Sequence, residues 1–311
     1  MKNSNLKTVL LSLLVMALWG SLFPFIKIGY TAFSIDSRSV PDILMFASVR
    51  FIISGIIVCA LAFFKKEQVG APKNKNITYI LIMGLFSIVL HYAFTYIGLG
   101  STDGSKTALI KQLGPLIYVC FSFLFFKNEK FSILKIIGAT MGFCGIIAIN
   151  YSPNGFSFAL GDILIILASI CMVVSSVINK KIATDNSPFW ITGISQLSGG
   201  LIMFIAAIVL GANMLDFNFK SSLVFLYICT ASICAYVLYS YILRTSNLSK
   251  MFIIKFAEPL FACIFGAILL GENIFKWQYL IAFVLISLGI ILGSKNEKIK
   301  EHSNEKSITN R

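Results

Sequence analysis

Charge is what this sequence has least of. Only 13% of its 311 residues are Asp, Glu, Lys or Arg, while 57% are hydrophobic and the mean hydropathy is +0.86. A water-soluble domain of this length carries far more surface charge, so a soluble globular fold is excluded. Acidic residues are scarcer still, 13 against 26 Lys and Arg. Histidine occurs twice, too few to build a metal site alone. The seven cysteines form no C-x-x-C pair and lie within apolar runs, where they read as small packing residues. G-x-S-x-G, H-E-x-x-H and phosphate-loop signatures are missing. No nucleophile–base pair, metal cluster or cofactor motif supports an enzyme.

Long apolar runs are what the chain has instead. Each can cross a hydrocarbon core of about 30 Å as a helix. Ten are read, at 7–30, 42–64, 77–99, 104–126, 132–150, 159–179, 188–210, 221–243, 249–270 and 276–293. The first is too long for a cleaved signal peptide and lacks an A-x-A-like site, so it reads as a retained helix. Connections are short, and 294–311 forms a polar tail. The net charge of +13 raises nucleic acid as a partner, but the distribution of charge excludes it. With the N-terminus inside, cytoplasmic segments hold Lys65, Lys66, Lys73, Lys75, Lys127, Lys130, Lys180, Lys181 and the basic tail. The outer loops hold only Arg38, Lys106, Lys220 and Lys276. That asymmetry places the protein in the cytoplasmic membrane with both termini cytoplasmic.

The sequence also repeats itself. Shifted by 144 residues, "ALIKQLGPLIY" falls on "FIIKFAEPLFA", so Lys111 meets Lys255 and Pro115 meets Pro259. Gly145 meets Gly289, and "HYAFTYIGL" lies against "YVLYSYILR". Helices 3–5 thus recur as helices 8–10. Five helices per half is an odd number, which turns the second half over in the membrane. The fold expected is an all-α membrane protein of ten transmembrane helices in two inverted five-helix repeats, 1–150 and 151–293.

The chain resembles the EamA-type branch of the drug/metabolite transporter superfamily. The residues that carry the likeness are "ALWGSLFPFIK" in helix 1, "ASVRF" in helix 2 and "LLGENIFKWQYLIAFVLISLGIIL" over helices 9–10, together with the duplication. The first half departs from the pattern with "FFKNEKFS" in place of a glycine–glutamate pair. The resemblance implies a secondary transporter of a small organic solute, with a cavity lined by helices 1, 3, 4, 6, 8 and 9.

Lysine deep in an apolar helix costs roughly 2.5–3.5 kcal/mol on insertion scales, and the chain places one there twice. Proline lacks an N–H, so Pro115 and Pro259 are expected to leave the carbonyls of Lys111 and Lys255 free. One reading sends both ammonium groups to the membrane surface along their stems. The other turns them, with Gln112, toward an anionic or zwitterionic metabolite such as an amino acid or a carboxylate. Glu258 is the one carboxylate deep in an expected helix; its repeat partner is Gly114. It either locks to Lys255 or Lys111 as a fixed ion pair, or receives an amine or a coupling proton. Trp19, Tyr92, Tyr96 and Tyr239 are further candidates for solute contact, and His91 for titration near neutral pH. Lys27 and Arg50 are expected to reach the surface. Gly138, Gly142, Gly145, Gly289 and Gly293 form small-residue faces that serve packing within the bundle or a homodimer. A non-transporting sensor or assembly subunit is the rival class.

Overall fold

The computed structural model describes residues 2–64, 72, 74–118, 133–152, 155–156, 159–183, 185–245, 255, 257–273, 275–289 and 291–292. The "FFKNEKFS" corner, the first turns of the ninth helix at 249–254, Asn154 and the tail from 294 lie outside them.

The described elements are ten helices and one two-stranded hairpin. They are α1 (Lys2–Ala32), α2 (Val40–Phe64), α3 (Asn74–Gly84, continuing through Leu85–Leu90 and His91–Leu99), α4 (Gly104–Ile110, resuming over 113–118) and α5 (Ile133–Asn150), then α6 (Leu160–Ile182), α7 (Pro188–Val209), α8 (Phe219–Thr245), α9 (Ala257–Leu270) and α10 (Trp277–Gly289). Tyr151–Ser152 pairs with Gly155–Phe156 between α5 and α6. Six helices are long and apolar enough to span a membrane. The apolar exposure of Phe63, Phe64, Ile205, Leu226 and Leu280 is what a lipid-facing surface requires.

The neighbours form a pattern. α2 packs on α7, α4 on α9, α1 on α8, and α3 on α6. Gly145 of α5 faces Ile286 of α10, and Gly289 of α10 faces Gly138 of α5. Exchanging α1–α5 for α6–α10 maps this set of pairs onto itself. Gly138, Gly145 and Gly289 therefore sit at the contact of α5 with α10, and Gly142 meets Leu116 of α4.

Close approach of α2 and α7 depends on missing side chains. A Cβ on Gly55 would lie 2.5 Å from the Leu197 backbone nitrogen, which is part of a helix and cannot swing aside. Gly55→Leu is expected to cost at least about 1–3 kcal/mol, read as a lower midpoint of thermal unfolding in detergent. Ile56→Leu, on the exposed side of the same helix, should leave the midpoint unchanged.

Two helices are not continuous. α4 breaks into a turn at Lys111 and Gln112, and Lys255 lies in a turn before α9. The prolines do this, but they do not free the lysine carbonyls as expected. Gly114 N–H donates to Lys111 O at 3.1 Å, and Glu258 N–H donates to Lys255 O at 3.0 Å. In both copies the residue just before the proline closes a tighter turn onto the carbonyl.

One end of the bundle is laced by ionic contacts. The Glu272 carboxylate accepts from the Gly104 N–H at 2.9 Å and lies 3.8 Å from the Lys27 ammonium. Lys106 pairs with buried Asp162 at 2.9 Å, and Asp103 with Lys276 at 3.5 Å. Lys27 thus reaches this end of the bundle, partly exposed, and meets a carboxylate there.

Candidate functional site

The broken helices meet at a cavity. Its walls are Trp19, Leu22, Phe23 and Ile26 of α1, Met83, Ser87, His91, Tyr92 and Thr95 of α3, and Lys111 of α4, facing Met172, Ser175, Ser176 and Asn179 of α6, Thr192 and Ser195 of α7, and Tyr236, Tyr239 and Ser240 of α8, with Lys255 and Glu258 at the start of α9. The space is small, about 60 Å³, room for a few waters. α1 and α6 each contribute positions i, i+3, i+4 and i+7, one helical face apiece. The α1 face is apolar; the α6 face is a thioether followed by two hydroxyls and an amide. α3 holds Met83, Ser87, His91 and Thr95 on one side because wider π-turns run from Leu85 to Leu90 and offset the drift of an ordinary helix.

Both repeated lysines turn inward, so neither extends to the surface. Lys111 is 9% exposed and Lys255 3%. The Lys111 ammonium donates to His91 Nε2 at 3.4 Å and lies 5.0 Å from the centre of the Phe23 ring. His91 Nδ1–H donates to the Ala168 carbonyl at 2.7 Å, which leaves Nε2 as the acceptor. The Lys255 ammonium is 3.7 Å from the Glu258 carboxylate, donates to Met172 Sδ at 2.8 Å and sits 4.8 Å from the Trp19 ring. Lys111 has no carboxylate in ion-pair range among the described residues. The Trp19 Nε1–H is buried without an acceptor.

Glu258 and Gly114 differ for a steric reason. A Cβ on Gly114 would lie 2.8 Å from the Ser169 carbonyl oxygen of α6, so the first copy has no room for a side chain. On the other side, α1 reaches α9 at Gly20, where a Cβ would lie 2.9 Å from the Glu258 carbonyl oxygen.

Tyr92 and Tyr236 are 144 residues apart, the same separation as the two lysines, and their hydroxyls hydrogen-bond to each other at 3.0 Å. Repeat-related groups therefore meet at the centre. Tyr239 joins the wall and bonds Ser176 at 3.2 Å. Two expected candidates stay out of the cavity. Gln112 is buried behind α4 with its Oε1 unpartnered. Tyr96 is fully buried behind Tyr92, where its hydroxyl accepts from Arg50 and its carbonyl from the Tyr30 hydroxyl at 3.1 Å.

Arg50 corrects an expectation outright. It is 0% exposed and does not reach the surface. Ten residues separate it from the start of α2, about 15 Å of helix, which is half the membrane. Its guanidinium lies 4.5 Å from the Phe51 ring centre, 5.1 Å from Tyr92 and 5.8 Å from Tyr96.

The duplication read in the sequence is also what comparison finds. The EamA-like transporter family matches twice, over residues 6–151 and 159–294. The chain belongs to the EamA-like transporter family. An uncharacterized transporter of Archaeoglobus fulgidus is 25% identical over 86% of this chain and 91% of its own length. The uncharacterized inner membrane transporter YedA of Escherichia coli K12 is 26% identical over 88% of each chain. A solved crystal structure shares the fold, with a TM-score of 0.65 and 19% identity over 93% of this chain and 96% of that one. This EamA-family chain is therefore a multi-pass membrane transporter, not an enzyme, and its partners are a small-molecule solute and the bilayer. The sensor and assembly-subunit alternatives fall away.

α7 was not among the helices expected to line the cavity. Thr192 and Ser195 place it there, and nothing in the sequence separates them from the many serines that bond back to their own helix, as Ser195 also does to Thr192 O at 3.1 Å.

Proposed function

We propose that this transporter carries a small anionic or zwitterionic metabolite, an amino acid or carboxylate, across the cytoplasmic membrane by alternating access. Lys111 carries the proposal. A buried ammonium whose hydrogen-bond partner is a neutral imidazole lacks a counter-charge, and a solute carboxylate supplies one. Lys255, Trp19, Tyr92 and Tyr239 complete the wall it would touch. Of the two coupling candidates, Glu258 is favoured over His91. A proton on His91 Nε2 would set a second cation 3.4 Å from the Lys111 ammonium.

The mechanism rests on two inverted repeats, 1–150 and 151–293, with both termini cytoplasmic. The exchangeable helix pairs and the Tyr92–Tyr236 contact support it. Under that topology the ionic lacing of Glu272, Lys27, Asp103 and Lys106 lies outside, while Asn179, Thr192 and Ser195 lie toward the cytoplasm. The conformation then reads as closed outward, with its polar wall leading in. YedA's description as an inner membrane transporter supports the location.

A thermal-shift screen of the purified protein against charged and neutral metabolites, followed by liposome flux of the hits, tests the reading. Carboxylates are expected to raise the unfolding midpoint. Stabilisation by amines alone would overturn it. For the topology, cysteine labelling in sealed cells should reach positions 36 and 154 from outside and spare the 65–76 loop. Outside labelling of that loop would defeat the inversion.

A further inference from the structure

Arg50 is a cation that the proposed lysine site does not account for. Among the described residues it is the largest fully buried side chain. Its Nε and Nη2 have no hydrogen-bond partner, while Nη1 donates to the Tyr96 hydroxyl. Aromatic faces replace a carboxylate around it, and Tyr92, whose ring centre is 5.1 Å from the guanidinium, lines the cavity while Arg50 does not. Arginine cannot shed its proton to escape burial, so its charge must be met from somewhere.

The buried centre can be counted. Among the described residues it holds three cations, Arg50, Lys111 and Lys255, and one carboxylate, Glu258, which lies against Lys255. The carboxylates Asp42, Asp103, Asp162 and Glu272 are engaged at the helix ends. Two positive charges remain without a counterpart, one on the cavity wall and one directly behind it. A zwitterion, with no net charge, would leave that sum unchanged.

We infer that the solute of this cavity is a small dianion, with Arg50 acting through Tyr92 as the second positive charge that selects it. The inference rests on the proposed solute site at Lys111 and Lys255. An anion held against Tyr92 lies on the order of 8–10 Å from the guanidinium. At the effective dielectric of protein sites, a unit charge at that range changes affinity on the order of tenfold. The ring between them transmits the field and keeps water out, and it leaves Arg50 a positioning residue, not a ligand.

The test uses succinate and its half-amide succinamate, which match in shape and differ by one charge. Each is titrated against the purified full chain at neutral pH, and the concentration for half-maximal thermal stabilisation is read. Wild type is expected to prefer succinate by tenfold or more. Arg50→Gln should bring the two concentrations within about threefold of each other, and Arg50→Lys should keep the preference. A preference below threefold in wild type, an unchanged preference in Arg50→Gln, or no response to either compound overturns the inference. Should Arg50→Gln fail to fold, wild type and Arg50→Lys decide it, since loss of the preference in the lysine variant would show that charge is not what selects. Lys111→Met separates the two levels. If wild type binds both compounds equally and this variant binds neither, the solute site stands and the dianion falls. If the variant binds both like wild type, the solute site itself falls.

Discussion

Lys111→Met is expected to lose solute flux by roughly ten- to a hundredfold while unfolding at the same temperature as wild type or higher. The two halves of that result come from one fact. The Lys111 ammonium is buried with His91 Nε2 as its acceptor and the Phe23 ring beneath it. A hydrogen bond between a charged donor and a solute is worth about 1.5–3 kcal/mol, which gives the loss in flux. Methionine keeps most of the stem and fills the same space. It removes a desolvated charge that has no carboxylate, so no buried charge is left uncompensated, and the freed His91 Nε2 faces the cavity. Lys255→Met should behave differently despite its matching place in the repeat. It strips the partner from Glu258, 3.7 Å away, and the orphaned carboxylate should lower the unfolding midpoint. Liposome flux and thermal unfolding on the two variants side by side check both points. Normal flux in Lys111→Met would end the solute role of that residue.

The part of this architecture that composition and order encode was legible beforehand. Hydropathy marks the spans, and the match of Lys111 with Lys255 and Pro115 with Pro259 marks the break in α4 and α9. The repeat marks both lysines as a pair, and both line the one cavity. What stayed hidden depends on neighbours from distant helices. Arg50 is ten residues into α2, but its burial among Tyr92 and Tyr96 is decided by how α3 packs on it. The lysine carbonyls looked free because only the missing proline N–H was counted; the preceding N–H of Gly114 or Glu258 takes the place by tightening the turn. Gln112 neighbours Lys111 in sequence yet does not line the cavity, since successive residues of a tight helical turn diverge by about 120°. The glycine at 114, where the second copy has Glu258, is a contact with Ser169 that admits no side chain.

Glu258→Gln is the second change expected to have a large effect, and its partner decides what that effect means. Glu258 and Lys255 are each 3% exposed and 3.7 Å apart, one turn from each other at the start of α9. Removing one member of a buried pair leaves the other charge unmatched, at a cost of about 3–5 kcal/mol. The Gln variant should therefore unfold at a clearly lower temperature, and adding Lys255→Met should restore part of the loss. A restoration shows that the pair is energetically coupled; it does not exclude a second role. Glu258 also forms part of the cavity wall, where a solute or a proton can reach it. If it carries the coupling proton, the Gln variant reconstituted at a temperature where it remains folded should exchange labelled solute across liposomes but fail to concentrate it against a proton gradient. Equal loss of exchange and accumulation would assign Glu258 to structure or solute contact. Full gradient-driven accumulation by the Gln variant would remove it from coupling, and the proton path would then have to run through a group other than the one carboxylate found in this cavity.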